Sequence, residues 1–169
     1  KTHLFALFLS LFWLSQSQAE PRIELVQSRD AVIEDQRLVG NSRAQAKRRG
    51  TIRSVPQLYV YHTDQTAAYH LEGYREGFTR YLDIAVRAFR QERSMVDLDK
   101  LLERAHLPLA GENAEPEFLS LDDLPTRDVI IVFYHRNDCA ECLQVEQQLA
   151  LWLEQNDDID YTYLRVSLE

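Results

Sequence analysis

The only two cysteines of the chain, Cys139 and Cys142, are separated by Ala140 and Glu141. Thiols at this spacing can form a disulfide, bind a soft metal ion or exchange disulfides with another protein. A purely structural bridge would close a very short loop, and chain-entropy arguments give it about 2 kcal/mol, against about 3 kcal/mol for a loop of fifteen residues. A chain that needed only a structural disulfide would gain more from cysteines further apart.

A metal site is the second interpretation. His135 lies four positions before Cys139, so Cys139, Cys142 and His135 together offer three ligands. A closed zinc site uses four ligands, whereas copper(I) accepts two thiolates with an imidazole. Copper is therefore the metal of this alternative. Covalent haem is excluded, because Leu143 and not histidine follows the second cysteine.

The surrounding pattern favours redox chemistry. "DVIIVFYH" (128–135) is apolar on both faces, which predicts a buried parallel strand. The next segment predicts a helix to about Gln155, with one face formed by Cys142, Val145, Leu149, Trp152 and Leu153. A thiol at a helix N-terminus is stabilised as the thiolate, and a second thiol one turn later can attack a mixed disulfide. We therefore expect Cys139 to be the nucleophile and Cys142 the resolving thiol, with no cofactor beyond this redox-active disulfide.

Three neighbours are candidates for modulating the thiols. Asp138 and Glu141 place negative charge beside Cys139, and like charge disfavours a thiolate. A less stabilised thiolate makes a weaker oxidant, so the pair is expected to act as a reductant or isomerase. His135, at the end of the predicted strand, is the third candidate, as a modulator of the thiol pKa.

The rest of the chain supplies the elements that must position these residues. "QLYVYH" (57–62) predicts a strand, the spacing of apolar residues from Tyr74 to Phe89 predicts a helix, and "DLDKLLERAHL" predicts a second, shorter helix. "IDYTYLRVSL" (159–168) predicts the last strand. The order β-α-α-β-α-β indicates an α/β sandwich with a mainly parallel sheet. Residues 20–55 are predicted to be a weakly structured N-terminal segment that precedes the domain. Two stretches in it, "RIELVQS" and "AVIEDQRLV", are compatible with strands.

The cysteine segment resembles a known superfamily. "VIIVFYHRNDCAECLQVEQQL" is similar to the central strand, active-site turn and helix of thioredoxin-like proteins, and "DIDYTYLRVSL" is similar to the strand that follows them. The resemblance covers 128–168 well, 56–89 loosely and the first 55 residues not at all. It implies a thioredoxin-like domain over 56–169 and a thiol–disulfide oxidoreductase that acts on protein dithiols and disulfides with a redox partner. The alternative is a non-catalytic binding module of the same fold, either a copper(I) carrier or an assembly factor.

The chain departs from the family after its last predicted strand. Family members continue with a helix, an antiparallel hairpin opened by a cis-proline opposite the cysteines, and a last helix. No proline follows Pro125, so the C-terminal hairpin and its cis-proline are expected to be absent. The strand 129–134 would then lose a neighbour and present an apolar edge. Truncation, a partner covering the edge and a fold-back of residues 22–39 are the three explanations.

The first nineteen residues predict export. Lys1, the apolar run "LFALFLSLFWL" and the small residues Ser17 and Ala19 are typical of a signal peptide cleaved before Glu20. The run is shorter than the roughly 20 residues of a membrane span, so the mature chain is expected to have none. Export implies a periplasmic or secreted protein in an oxidising compartment. The segment 37–53 has six basic and no acidic residues, which is typical of a solvated linker, and the overall net charge of −8 argues against nucleic acid as a partner.

Overall fold

The structure is a computed structural model that describes residues 22–88, 91–92, 96–125 and 128–169. The predicted signal peptide (1–19) and Phe89, at the end of the predicted helix, lie outside these ranges. Within them, no helix has both the length and the apolar run that a membrane span requires.

The described chain forms an α/β fold. Its elements are β1 (Arg22–Gln27), α1 (Arg29–Val39), α2 (Arg43–Arg48), β2 (Gln57–His62), β3 (Ala67–Glu72), α3 (Thr79–Arg87), α4 (Leu98–Leu102), β4 (Val129–His135), α5 (Ala140–Gln155) and β5 (Tyr161–Leu168), with a 3₁₀ turn at Leu121–Asp123.

The five strands form one mixed sheet in the order β1-β5-β4-β2-β3. β1, β5 and β4 run parallel, whereas β2 is antiparallel to β4 and β3 is antiparallel to β2. The expected mainly parallel sheet is therefore corrected: two of these four pairings are antiparallel. The β2–β3 pairing follows from the short connection between these two strands, which allows only a hairpin.

β4 is the central strand, and all seven of its residues are buried. Ile131 and Phe133 lie in the core on one face of the sheet, with α3 and α5, while Val132 and Tyr134 lie in the core on the other face, with α4. Because both faces are covered, the segment is apolar throughout and shows no alternation. The sequence prediction of a buried strand at this place is confirmed.

A β-hairpin formed by β2 and β3 precedes the cysteines in the chain. β2 lies beside β4, with Gln57 paired to Tyr134, so β4 is not an edge strand. The Val55–Pro56 peptide bond is cis and immediately precedes β2. The expected apolar edge of β4 is wrong, and so is the fold-back hypothesis, because β2 covers β4 and β1 pairs with β5 instead. The expected absence of a hairpin and a cis-proline after the last strand stays a prediction.

The N-terminal segment contains regular structure. β1 adds a parallel strand to β5, and the side chain of Gln27 donates to the Ile52 carbonyl (2.6 Å) and accepts from the Ile52 amide (2.9 Å). "AVIEDQRLV" lies within helix α1 and is not a strand. The 37–53 segment is not a solvated linker throughout, because it contains α2 and the buried Ile52.

Candidate functional site

A disulfide joins Cys139 and Cys142 where β4 passes into α5. Cys139 is the N-cap residue of α5, and its sulfur accepts a hydrogen bond from the Cys142 amide at 3.1 Å. The five residues expected on the buried face of the helix are the five that are buried: Cys142, Val145, Leu149, Trp152 and Leu153. The predicted strand, cysteine pair and helix are therefore confirmed as a local structure.

The two cysteines differ in accessibility. Cys142 is 2 % exposed and belongs to the core on the α5 face of the sheet. Cys139 is only partly buried and lines a cavity of about 360 Å³ together with His135, Leu143, Glu146 and Arg165, among others. An incoming disulfide or thiol can therefore reach the sulfur of Cys139, whereas Cys142 is covered.

His135 lines the same cavity. It is 2 % exposed, and its Nε2 atom has no hydrogen-bond partner among the described residues. Burial, followed by the nearby positive charge of Arg165, lowers the pKa of His135 from its usual value. The imidazole is thus held neutral at neutral pH, so it can exchange a hydrogen bond with a group in the cavity without carrying a charge there.

The two acidic neighbours of the nucleophile are held differently. Asp138 pairs with Arg136, with 3.3 Å between Oδ1 and Nε, and both side chains are exposed. Glu141 forms no ion pair with a described residue, and its Oε2 accepts from the Tyr74 amide at 3.4 Å. The charge of Asp138 is thus partly balanced, so Glu141 is the acidic neighbour whose charge bears most on Cys139.

Sequence reasoning missed the ion pair on the cavity wall. Arg165 of β5 contacts Glu146 of α5 with 2.7 Å between Nε and Oε1, and its Nη1 lies 3.4 Å from Glu24 of β1. These residues lie far apart in sequence and carry no local motif. Only the parallel pairing of β1, β5 and β4 brings them together.

His62 is not part of this site. As the last residue of a predicted strand, His62 would lie at the same end of the sheet as the cysteines if β2 and β4 ran parallel. In the antiparallel arrangement His62 pairs with Val129, at the start of β4, whereas the cysteines follow its end. Pro56, at the beginning of β2, lies instead at the cysteine end of the sheet.

The metal alternative needs the two cysteines as thiolates, and the structure holds them as a disulfide. Within the described residues, no group of three or more His, Cys, Asp or Glu side chains is arranged to hold a metal ion. A copper(I) site of His135, Cys139 and Cys142 in the reduced form stays a prediction.

Comparison of the chain with protein-family models, curated proteins and solved structures found no match. What the site can do is accordingly argued from its own geometry: a disulfide at the N-terminus of a 16-residue helix, with one accessible and one covered sulfur.

Proposed function

We propose that the chain is an exported thiol–disulfide oxidoreductase with a thioredoxin-like fold, acting through Cys139 and Cys142. One observation carries the proposal: the disulfide joins a partly exposed cysteine at the N-cap of a helix to a covered cysteine one turn inside it. This arrangement gives the two sulfurs different tasks. A disulfide is also compatible with the oxidising compartment that export implies.

The neighbours of β4 support the thioredoxin-like part of the proposal. In that superfamily the strand before the cysteines is followed by a helix and a further strand, and a cis-proline, an antiparallel hairpin and a last helix come later. Here α5 and β5 follow the cysteines, while cis-Pro56, the β2–β3 hairpin and α3 come earlier in the chain. The same elements surround the cysteine strand in a different chain order, as in a circular permutation.

The proposed reaction begins with the dithiol form. The Cys139 thiolate attacks one sulfur of a substrate disulfide, forms a mixed disulfide and releases one substrate thiol. Cys142 then attacks the sulfur of Cys139, which re-forms the Cys139–Cys142 bond and releases the second thiol. The substrate gains two electrons and two protons, and the dithiol loses them. A second redox partner must reduce the chain again, or the substrate itself returns the electrons in an isomerisation.

The local charges favour the reducing or isomerising direction. The Cys142 amide donates to the sulfur of Cys139, and the dipole of α5 stabilises negative charge at the same place. Glu141 opposes this stabilisation, because its carboxylate lies between the two cysteines in sequence and forms no ion pair with a described residue. A thiolate that is stabilised only in part makes the disulfide a weaker oxidant.

Trapping experiments test the assignment of the two sulfurs. Cys142→Ser should accumulate a mixed disulfide on Cys139 when the reduced variant meets a disulfide-bonded peptide, because the resolving thiol is missing. Cys139→Ser should trap at least about tenfold less, because its remaining thiol is only 2 % exposed. Mass spectrometry after alkylation measures both. Equal trapping by the two variants, or a native disulfide that dithiothreitol does not reduce in the folded protein, contradicts the proposal.

A further inference from the structure

A second cavity, of about 620 Å³, lies between α2 and the β2–β3 hairpin. It shares no lining residue with the cysteine cavity. Its lining includes four cationic side chains, Arg43, Lys47, Arg48 and Arg53, and one acidic side chain, Glu72. The wall therefore carries an excess of positive charge in a chain whose net charge is −8.

Lys47 is a partly buried cation of this cavity. Its side chain is 21 % exposed, and its ammonium lies 3.7 Å from Glu72, 3.1 Å from Nε2 of His70 and 5.5 Å from the centre of the Tyr59 ring. Burial lowers the pKa of Lys47 even though Glu72 acts in the opposite direction. These contacts do not fully replace the water that the ammonium loses, so an anion that enters beside Lys47 stabilises its charge.

Other polar groups that line this cavity lack ion-pair or hydrogen-bond partners among the described residues. Arg43 and Arg48 are exposed, and neither forms an ion pair with a described residue. Thr51 is 1 % exposed, and its hydroxyl oxygen has no hydrogen-bond partner within the described chain; the same holds for Nε of Arg53. Buried polar atoms without partners are rare and costly, and they commonly mark the place of an absent ligand, water or ion.

We propose that this cavity binds a small phosphate-bearing anion. Guanidinium groups form paired hydrogen bonds with phosphate oxygens, and an ammonium adds a compact positive charge, so Arg43, Arg48 and Lys47 suit a group with several equivalent oxygens. The terminal nitrogens of Arg53 already donate to the Gly40 carbonyl, and this side chain adds its charge. The volume falls in the range of small-molecule sites and exceeds what a bare inorganic ion fills. The basic segment 37–53 then has a binding role that does not depend on the redox chemistry of the cysteines.

Calorimetric titration of the full chain with inorganic pyrophosphate, against sodium chloride at equal ionic strength, tests the proposal. Binding should saturate at one pyrophosphate per chain. Arg43→Gln/Arg48→Gln should weaken it at least about tenfold, because the two substitutions remove charge-assisted hydrogen bonds to the phosphate oxygens. Arg75→Gln/Arg80→Gln removes the same charge from exposed positions outside this cavity and should leave the affinity unchanged.

Each other outcome is also decisive. Lys47→Gln should weaken binding as well, and the exposed double variant keeps the test valid if Lys47→Gln does not fold. Vesicles of phosphatidylglycerol, compared with phosphatidylcholine, show whether the phosphate can belong to a lipid headgroup; sedimentation that depends on Arg43 and Arg48 assigns that source. No saturable pyrophosphate binding, equal losses in the two double variants, or binding of a hexaglutamate peptide alone overturns the proposal.

Discussion

At the scale of single residues, Glu141 is the side chain whose charge most directly opposes a thiolate on Cys139. Asp138, its acidic counterpart before the cysteines, already has Arg136 as a partner. Glu141 instead accepts a single long hydrogen bond from the Tyr74 amide. Its carboxylate therefore retains most of its effect on the neighbouring sulfur.

Glu141→Gln is expected to lower the pKa of the Cys139 thiol, because the substitution removes a negative charge and nearly preserves the shape of the side chain. The absorbance of the reduced protein at 240 nm against pH measures the thiolate. Glu154→Gln, an exposed position near the far end of α5, is the matched control and should leave the titration unchanged. A thiol pKa that stays the same or rises in Glu141→Gln would contradict the electrostatic argument and, with it, the reducing direction.

His70 predicts a pH dependence of stability. Burial, followed by the charge of Lys47, lowers the pKa of His70 to about 4, whereas an unfolded chain has a histidine pKa of about 6.5. Between these values the unfolded state binds more protons, so a falling pH favours unfolding. The stability contributed by neutral His70 is complete above about pH 6.5 and is lost as the pH falls toward 4.

Urea unfolding of the oxidised protein at pH 7 and pH 4.5 measures this contribution. The free energy of unfolding should fall by on the order of 1 kcal/mol more in the wild type than in His70→Gln, after allowance for the partial exposure of the ring. The comparison cancels the titration of the carboxylates, which both proteins share. Identical pH dependence in the two proteins would show that the imidazole is protonated as easily in the folded state as in the unfolded one.

At the scale of elements, the segment around the cysteines was predictable and the hairpin was not. Val129–His135 and α5 each carry their own signal, an apolar run and a helical face ending in Trp152 and Leu153. The sequence predicted β2 with its correct bounds but not its direction. All six of its residues are buried, and the sequence of such a strand is equally compatible with parallel and antiparallel pairing. β3 was missed because "AAYHLE" is a half-buried edge strand with polar residues.

Helix α1 was mistaken for a strand because its burial depends on one carboxylate. Asp35 is fully buried and accepts from Nε of Arg49 at 2.7 Å, while Nη2 of Arg104 lies 3.6 Å away. These contacts hold α1 against α2 and against the residues that follow α4. A pattern of apolar residues cannot reveal a helix whose buried contact is ionic.

Arg49→Ala should lower the free energy of unfolding by about 2–4 kcal/mol, because it leaves the buried carboxylate of Asp35 with only the longer contact to Arg104. Asp35→Ala/Arg49→Ala should cost less than the sum of the two single changes, because removing both partners leaves no buried charge behind. Urea unfolding of the wild type, the two single variants and the double variant measures this double-mutant cycle. Arg37→Ala, exposed on the same helix, should change stability by no more than about 0.5 kcal/mol, and strict additivity of Asp35 and Arg49 would refute the coupling.

At the scale of the whole molecule, the residues that were predictable from the sequence are those that lie close together along the chain. Every predicted site residue from His135 to Cys142 lies in one short segment, so the sequence alone could propose them together. Tyr74, shortly after β3, donates to Glu141, and Arg165 of β5 donates to Glu146. Both contacts depend on the assembled sheet and cannot be predicted from the sequence of the cysteine segment. The β2–β3 hairpin precedes the cysteines in the chain, and its place beside β4 follows from the sheet order alone.

A chain spanning residues 56–169 tests how much of the fold the N-terminal elements supply. That range holds the cysteines, the hairpin and the strand β5, but it lacks β1, whose removal leaves the backbone of β5 unpaired along one side. It also lacks Leu25 and Ile52, which are 2 % and 1 % exposed in the core shared with α4. An unpaired strand edge beside an opened core promotes aggregation, and losing two such side chains costs about 4–6 kcal/mol by analogy with large-to-small substitutions.

We therefore expect the 56–169 chain to be aggregated or unfolded, and a 20–169 chain to unfold cooperatively in urea. Size-exclusion chromatography and urea unfolding of the two chains, both oxidised, make the comparison. Since the free energy of unfolding of a domain is typically 5–15 kcal/mol, a loss of this size removes most of it. A monomeric 56–169 chain with the stability of the longer one would show that residues 56–169 form a domain on their own, and that β1, α1 and α2 are an addition to it.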